Sequence, residues 1–509
     1  MNRLKPAAPL LTLLPAMALV PVLIVTWTGL HGGGLSIWQQ CLSGALHPSM
    51  DADVLHAVWH GLGVTMATAL LSWSLSLLFG VLLGSACSDV VWRSWTLSSW
   101  PARGLRGVLA IPRAVHELVW GLLLLQVFGL HPYVAVAAIA IPYSALVARI
   151  WRDHLDSADH RPLNALISAG VHPLSALMTA LNPGMGTVLM SYGGYRLECA
   201  LRSATLLGVF GLGGLGTELQ LTLQSLQFRE LWTGLWVLAA VMLILEQLLR
   251  FWRERSGVGV HGQRRILLFG LLAVVLGVIG TFWLRLIVPD QFSGLSWIGM
   301  EVPSWTQLNA AAIELPWLRM ILETLGLTVL AAGIAIGLPP LALLLWPSPR
   351  WHQCCSMFWA CMRWIPPPLM VLLLLLSNRP SLAIGALAIG LHNSGVMGRL
   401  LLEGLQQQSG QRQVALRAMG SSERMSWFYG LLSPQSPSYL AYGAYRSDVI
   451  LRETVVVGVI GGSGLGWQLL ESLSSFHWAA VVLVLCCYCA LTISGESLSD
   501  RCRSLWLQS

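Results

Sequence analysis

Charge is scarce in this chain. Asp, Glu, Lys and Arg supply 10% of its 509 residues, against about 25% in a soluble domain, while 55% is hydrophobic. Mean hydropathy is +0.67. A water-soluble core needs far less apolar sequence, so the solvent for most of the chain is lipid. Lysine is nearly absent: of 30 basic residues only Lys5 is a lysine, the rest being Arg. No Gly-x-x-x-x-Gly-Lys-Ser/Thr loop occurs, which excludes a P-loop. No Ser/His/Asp or His/Glu cluster stands at catalytic spacing, which disfavours a membrane enzyme. The ten cysteines fit neither a zinc site nor a disulfide framework. Cys354, Cys355, Cys361, Cys486, Cys487 and Cys489 read as small apolar packing residues. No metal or cofactor is expected in this chain.

What is present is long apolar sequence. Pro9 to Leu30, Gly61 to Ala86, Ile266 to Trp283 and Leu325 to Trp346 each approach or exceed the roughly 20 residues that carry a helix across about 30 Å of hydrocarbon. The net charge of +7 does not indicate a nucleic-acid partner, because the arginines gather in short loops such as Arg250 to Arg265. Leu30 to Asp53 and Ile287 to Leu315 hold Asp51, Asp53, Asp290, Glu301 and Glu314 with no basic residue. Such asymmetry puts the N-terminus (Arg3, Lys5), the central linker and the C-terminus (Arg501, Arg503) in the cytoplasm. The first apolar segment is long and lacks a small-residue cleavage site, so it reads as a retained span.

Two stretches 250 residues apart are near copies. Gly193 to Gly216 reads GGYRLECALRSATLLGVFGLGGLG, and Gly443 to Gly466 reads GAYRSDVILRETVVVGVIGGSGLG. Upstream, Ala165, Leu166 and Gly170 recur as Ala415, Leu416 and Gly420. The chain is therefore a tandem duplication, with repeats at 1–256 and 257–509 and a boundary near Ser256 to Gly262. The fold expected is all-α and polytopic: two parallel six-helix repeats, about 12 spans. They are placed near 9–30, 57–86, 108–130, 133–151, 187–210, 231–250, 266–288, 318–346, 360–378, 381–400, 437–460 and 477–495. Between the fourth and fifth spans of each repeat, Arg149 to Gly184 and Arg399 to Pro434 read as pairs of short helices. They turn at Gly170 or Gly420 and end near Pro183 or Pro434. A long helical loop of this kind has a partner to dock against.

These loops resemble the coupling loop of type I ATP-binding-cassette importer permeases. The Tyr-Arg-x-(Glu/Asp)-x-x-x-Arg run with its glycine-rich close is similar to the phosphonate importer permeases, as are Ile111-Pro112 and Glu117-Leu118-Val119-Trp120. Arg363-Trp364-Ile365-Pro366 is a partial echo. The resemblance covers most of the chain, counted twice, and implies two permease copies fused in one chain of a bacterial inner membrane. It implies that Ala165, Gly170, Ala415 and Gly420 couple to two copies of a cytoplasmic ATPase subunit, and that a periplasmic binding protein delivers substrate. Departures from the family pattern are Asn164 and Val414 where an acid often stands, Glu198 against Asp448, and Ser463 in place of a glycine.

On a helix, Tyr195, Glu198 and Arg202 share one face, with Glu198 and Arg202 at ion-pair spacing. Tyr445, Asp448 and Arg452 repeat the arrangement. Charges inside a span cost at least about 2.5–3.5 kcal/mol each on insertion scales, so they face a cavity or one another. One reading is that they lock helices together. The other is that Arg202 and Arg452 line a shared path and offer guanidinium forks to an oxyanion. Gly211 to Gly216 reads as a tight turn or close helix packing. Glu117 is expected to pair with an arginine, and His392 and Asn393 to form interhelical hydrogen bonds.

The function expected is the permease subunit of an ATP-driven, binding-protein-dependent importer for phosphonate or a related phosphorus oxyanion, phosphite and phosphate included. A fused permease for iron(III), thiamine or an amino acid is the alternative within the class. A six-plus-six secondary transporter is the alternative outside it, and it gives the repeated loops no role.

Overall fold

The structure, a computed structural model, describes residues 19–508 except 21, 31–33, 96–97, 256–261, 289–298, 300, 346–347 and 462. Arg3, Lys5, most of the first expected span and the linker up to Gly262 lie outside the described residues. All regular structure among the described residues is helical.

A helical stretch at 22–29 is followed by α1 (Leu35–Leu46), α2 (Ala52–Ala86) and α3 (Asp89–Trp95). Next come α4 (Trp100–Ala114), α5 (Glu117–Phe128) and α6 (Pro132–Ser157). Two short helices, α7 (Arg161–Ser168) and α8 (Pro173–Ala180), lead into α9 (Asn182–Leu207), α10 (Leu215–Gln224), α11 (Phe228–Arg255) and α12 (Gly262–Ile287). The series then recurs as α13 (Trp305–Glu314), α14 (Trp317–Leu345), α15 (Pro349–Trp364), α16 (Pro367–Leu375) and α17 (Leu382–Gln406). It closes with α18 (Gln411–Ala418), α19 (Glu423–Trp427), α20 (Ser433–Gly461), α21 (Gly464–Ser474) and α22 (Trp478–Gln508).

Among the described residues, six helices are long and apolar enough to cross a bilayer, and up to nine spans result if each bent helix pair counts as one. With α17 and α20, whose polar residues His392, Asn393, Arg446, Asp448 and Arg452 lower their apolarity, these fall at eleven of the twelve expected positions (nine plus two). The expected spans 108–130 and 360–378 are not straight. The chain bends by 87° between α4 and α5 and by 95° between α15 and α16. At the second break Pro366, Pro367 and Pro368 supply no N–H and hold Ile365 extended. At the first, Val115 and His116 are extended, and His116 Nδ1 accepts from Leu118 N at 3.2 Å to cap the new helix.

Cys41–Met300 forms one compact unit, and Met1–Gln40 with Glu301–Ser509 the other. Within the first, α12 lies along α2, where Phe269 meets the buried Trp73 edge-on at 5.9 Å. Within the second, Leu19 and Val22 pack on Ile334 of α14. The helix that opens each sequence repeat is thus packed with helices of the other. The repeats 1–256 and 257–509 describe the sequence, and the units describe the packing.

Each unit fixes its glycine-rich segment in the same way. Leu215 N donates to Thr65 Oγ1 at 2.9 Å, and Leu465 N to Thr324 Oγ1 at 3.0 Å. A Cβ at Gly216 would collide with the Thr205 carbonyl, and one at Gly466 with that of Val455. These glycines serve close helix approach, as the sequence suggests.

Candidate functional site: buried arginines and coupling loops

In the Cys41–Met300 unit the polar residues of α9 fall on more than one face. Glu198 and Arg202 form the expected i,i+4 ion pair, with side chains 18% and 22% exposed. Tyr195 is largely exposed. The neighbouring Arg196 is buried, with only 7% of its surface accessible. Its Nε and Nη2 both donate to Tyr192 Oη, at 2.8 and 2.6 Å. The guanidinium lies 4.9, 5.0 and 5.5 Å from the ring centres of Tyr143, Tyr192 and Tyr195, a cation–π setting from three sides.

A chain of hydroxyls leads away from this cage. Ser203 Oγ donates to Glu117 Oε1 at 2.6 Å and lies 2.8 Å from Tyr143 Oη. Ser203 has one proton and gives it to the carboxylate, so Tyr143 is the donor to Ser203. His116 Nδ1 is 3.5 Å from Glu117, but it already accepts from Leu118 N and so has no proton to offer. The arginine partner expected for Glu117 is replaced by Ser203.

The other unit keeps the arginine and changes what surrounds it. Arg446 is buried on α20, and its Nε donates to Asn393 Oδ1 at 2.5 Å. Asn393 Nδ2 donates to Glu453 Oε2 at 2.6 Å, and Glu453 approaches Arg446 Nη2 to 3.7 Å. His392 Nδ1 lies 3.0 Å from the Ile365 carbonyl at the helix break. Six residues along α20, Arg452 binds Asp448 at 2.6 Å and Glu496 at 3.7 Å. Tyr445 is exposed and lies beside Tyr442 with the rings tilted by 53° and their centres 5.6 Å apart; Tyr192 and Tyr195 are tilted by 41° at 6.2 Å.

The structure thus brings together Glu198 with Arg202, and Asp448 with Arg452, as the spacing implies. Arg196 and Arg446 are buried as well, and they were not among the residues singled out from spacing. The signal was available: Tyr192 and Arg196 recur unchanged as Tyr442 and Arg446. Positions 117 and 203 read Glu and Ser, whereas 367 and 453 read Pro and Glu, so the carboxylate moves from one helix to another.

The loops keep a single backbone design. Gly170 and Gly420 have φ of +83° and +85°, in the left-handed region that disfavours L side chains. Each ends its helix with the same pair of bonds. Gly170 N donates to Ile167 O and Val171 N to Leu166 O; Gly420 N donates to Arg417 O and Ser421 N to Leu416 O. Ala165 and Ala415 are exposed on α7 and α18. Among the described residues, no atom beyond the adjoining residues lies within 4 Å of a Cβ placed at either glycine. The demand there is conformational, not steric.

No protein-family model matches the chain. A protein named as a cryptic phosphonate transport system permease of Escherichia coli (strain K12) is 30% identical over 114 residues, which is 22% of this chain and 90% of that one. The chain belongs to the phosphonate transport permease family. The phosphate-import permease protein PhnE of Mycolicibacterium smegmatis is 22% identical over 421 residues, covering 78% of this chain and 77% of its own length. A phosphite transport system permease protein of Stutzerimonas stutzeri is 27% identical over 141 residues, 28% of this chain and 51% of its own. A solved amino acid ABC transporter aligns over 40% of this chain at 19% identity, with a TM-score of 0.34, too slight a likeness to argue from. This member of the phosphonate transport permease family is a multi-pass membrane transport protein, not an enzyme. Its length accommodates two permease copies in one chain.

Proposed function

We propose that this chain is the membrane-spanning permease subunit of an ATP-driven importer for a phosphorus oxyanion: phosphonate, phosphite or phosphate. The observation that carries the reading is the pair of loops turned at Gly170 and Gly420 with the same backbone bonds 250 residues apart, in a chain whose relatives are named for these substrates. Two copies of a cytoplasmic ATPase subunit would each take one loop, through Ala165 and Gly170 or Ala415 and Gly420. Their closure would move the helices that follow. A periplasmic binding protein would deliver the anion to the outer face. The membrane would be the bacterial inner membrane, with both termini in the cytoplasm as the arginine distribution suggests.

Tyr195, Glu198 and Arg202 in one unit, and Tyr445, Asp448 and Arg452 in the other, are proposed as pathway residues of their own unit. Their ion pairs keep the charge balanced when no anion is present. The test is uptake of phosphite, phosphate and methylphosphonate into vesicles holding the permease and its ATPase, with the binding protein outside and ATP inside. Accumulation of at least one anion that needs all three components supports the reading. Uptake driven by an ion gradient without ATP would instead indicate a secondary transporter.

A further inference from the structure

We propose that Arg196, and not its counterpart Arg446, is the anion-holding site of this permease, where the transported phosphorus oxyanion is bound in passage. The inference rests on the phosphorus-oxyanion reading above and adds the residue and the asymmetry. Arg196 is over nine-tenths buried. Among the described residues it has no carboxylate in contact: its partners are the Tyr192 hydroxyl and three aromatic rings. Phenols and ring faces hold a cation without cancelling its charge. Glu117, which reaches the cage through hydroxyls, stops at Ser203.

In the other unit the same helix position as Ser203 is Glu453, and its carboxylate comes to 3.7 Å from Arg446 while Asn393 bonds both. One buried guanidinium is therefore neutralised within its unit, and the other is not. A buried cation without a counter-charge is costly. It persists where another anion can take that place.

The chemistry of Arg196 suits a tetrahedral oxyanion. Two N–H groups of a planar fork already converge on one oxygen, that of Tyr192, as they would on a phosphoryl oxygen. Substitution of that phenol by the anion replaces a neutral acceptor with a charged one, a stronger partner for the same donors. Tyr195, exposed next to Arg196 with its ring 5.5 Å from the guanidinium, is a further phenol beside the site. Arg202 and Arg452 differ, because each already holds a carboxylate four residues before it.

The test uses the permease–ATPase complex in vesicles with its binding protein, and phosphite, phosphate and methylphosphonate as probes. Three variants are measured against wild type: Arg196→Gln, Ser203→Glu, and the neutral pair Arg446→Gln with Glu453→Gln. Arg196→Gln leaves no contacting carboxylate stranded, so it should assemble with the ATPase and lose uptake about tenfold or more, the worth of one charge-assisted contact. Ser203→Glu gives Arg196 the internal partner that Arg446 has, and should lose uptake to a similar degree. The neutral pair should keep uptake within about twofold, because it removes a charge already cancelled. If Arg196→Gln does not assemble, Arg196→Lys and Ser203→Glu decide. Near-wild-type uptake by Ser203→Glu, or equal losses from Arg196→Gln and the neutral pair, would overturn the assignment. If wild type carries none of the three anions, the proposed substrate class fails first and the inference falls with it.

Discussion

Arg446 and Glu453 stand 3.7 Å apart at their nearest charged atoms, seven residues apart on one helix, with the Asn393 side chain bonded to both. Their side chains are only 10% and 14% exposed. Either charge alone would be stranded in a low-dielectric setting, so Glu453→Gln by itself should destabilise the protein by about 3–5 kcal/mol. Adding Arg446→Gln should recover most of that loss. Thermal unfolding of the purified permease in detergent, comparing single and double variants, measures the difference. An additive pair would mean that the two charges do not interact.

The two i,i+4 ion pairs make a separate prediction. Glu198→Gln with Arg202→Gln, and Asp448→Asn with Arg452→Gln, remove both charges of a pair together. Pathway residues treated in this way should give stable protein with impaired uptake. Wild-type uptake at restored stability would show that the pairs serve structure alone.

At the loops the prediction concerns coupling. Gly420→Val places a β-branched residue at a φ of +85°, with about 1–3 kcal/mol of local strain. The surroundings are open, so the strain should be relieved by tilting α18, not by unfolding. We expect intact protein whose ATPase association or ATP-driven uptake is impaired, with Gly420→Asn milder because Asn tolerates the left-handed region. Co-purification and vesicle uptake distinguish these outcomes, and Gly170 should behave in the same way.

Thr65 and Thr324 are buried, and each accepts one backbone N–H of the helix after the glycine-rich turn. Replacing either by Val keeps the shape and strands that N–H, at a cost of about 1–3 kcal/mol. The fall in melting temperature should be similar at the two sites. A shift at one site alone would mean that the two turns are held differently.

Much of this was legible in the sequence because it repeats. The offset of 250 marks the loops, the glycine turns and the two i,i+4 pairs, each set by local spacing along one helix. The breaks after Ala114 and Trp364 were not legible as bends, since apolarity continues through them and hydropathy carries no direction. The Arg196 cage was also hidden. Tyr143, 53 residues upstream, reaches Arg196 only once α6 lies against α9. The carboxylate exchange between 117 and 453 becomes meaningful only when both are found to serve the surroundings of the same arginine position. Long-range contacts of that kind leave no period in a single sequence.

The most direct test of the account is ATP-dependent accumulation of phosphite, phosphate and methylphosphonate by vesicles containing the permease and its ATPase, supplied with the binding protein. It is measured for wild type and for Gly170→Val with Gly420→Val. The account predicts accumulation of at least one of these anions by wild type, only with ATP, and its loss in the double variant while the folded permease remains in the membrane. Equal accumulation by both, or accumulation without ATP, would contradict it.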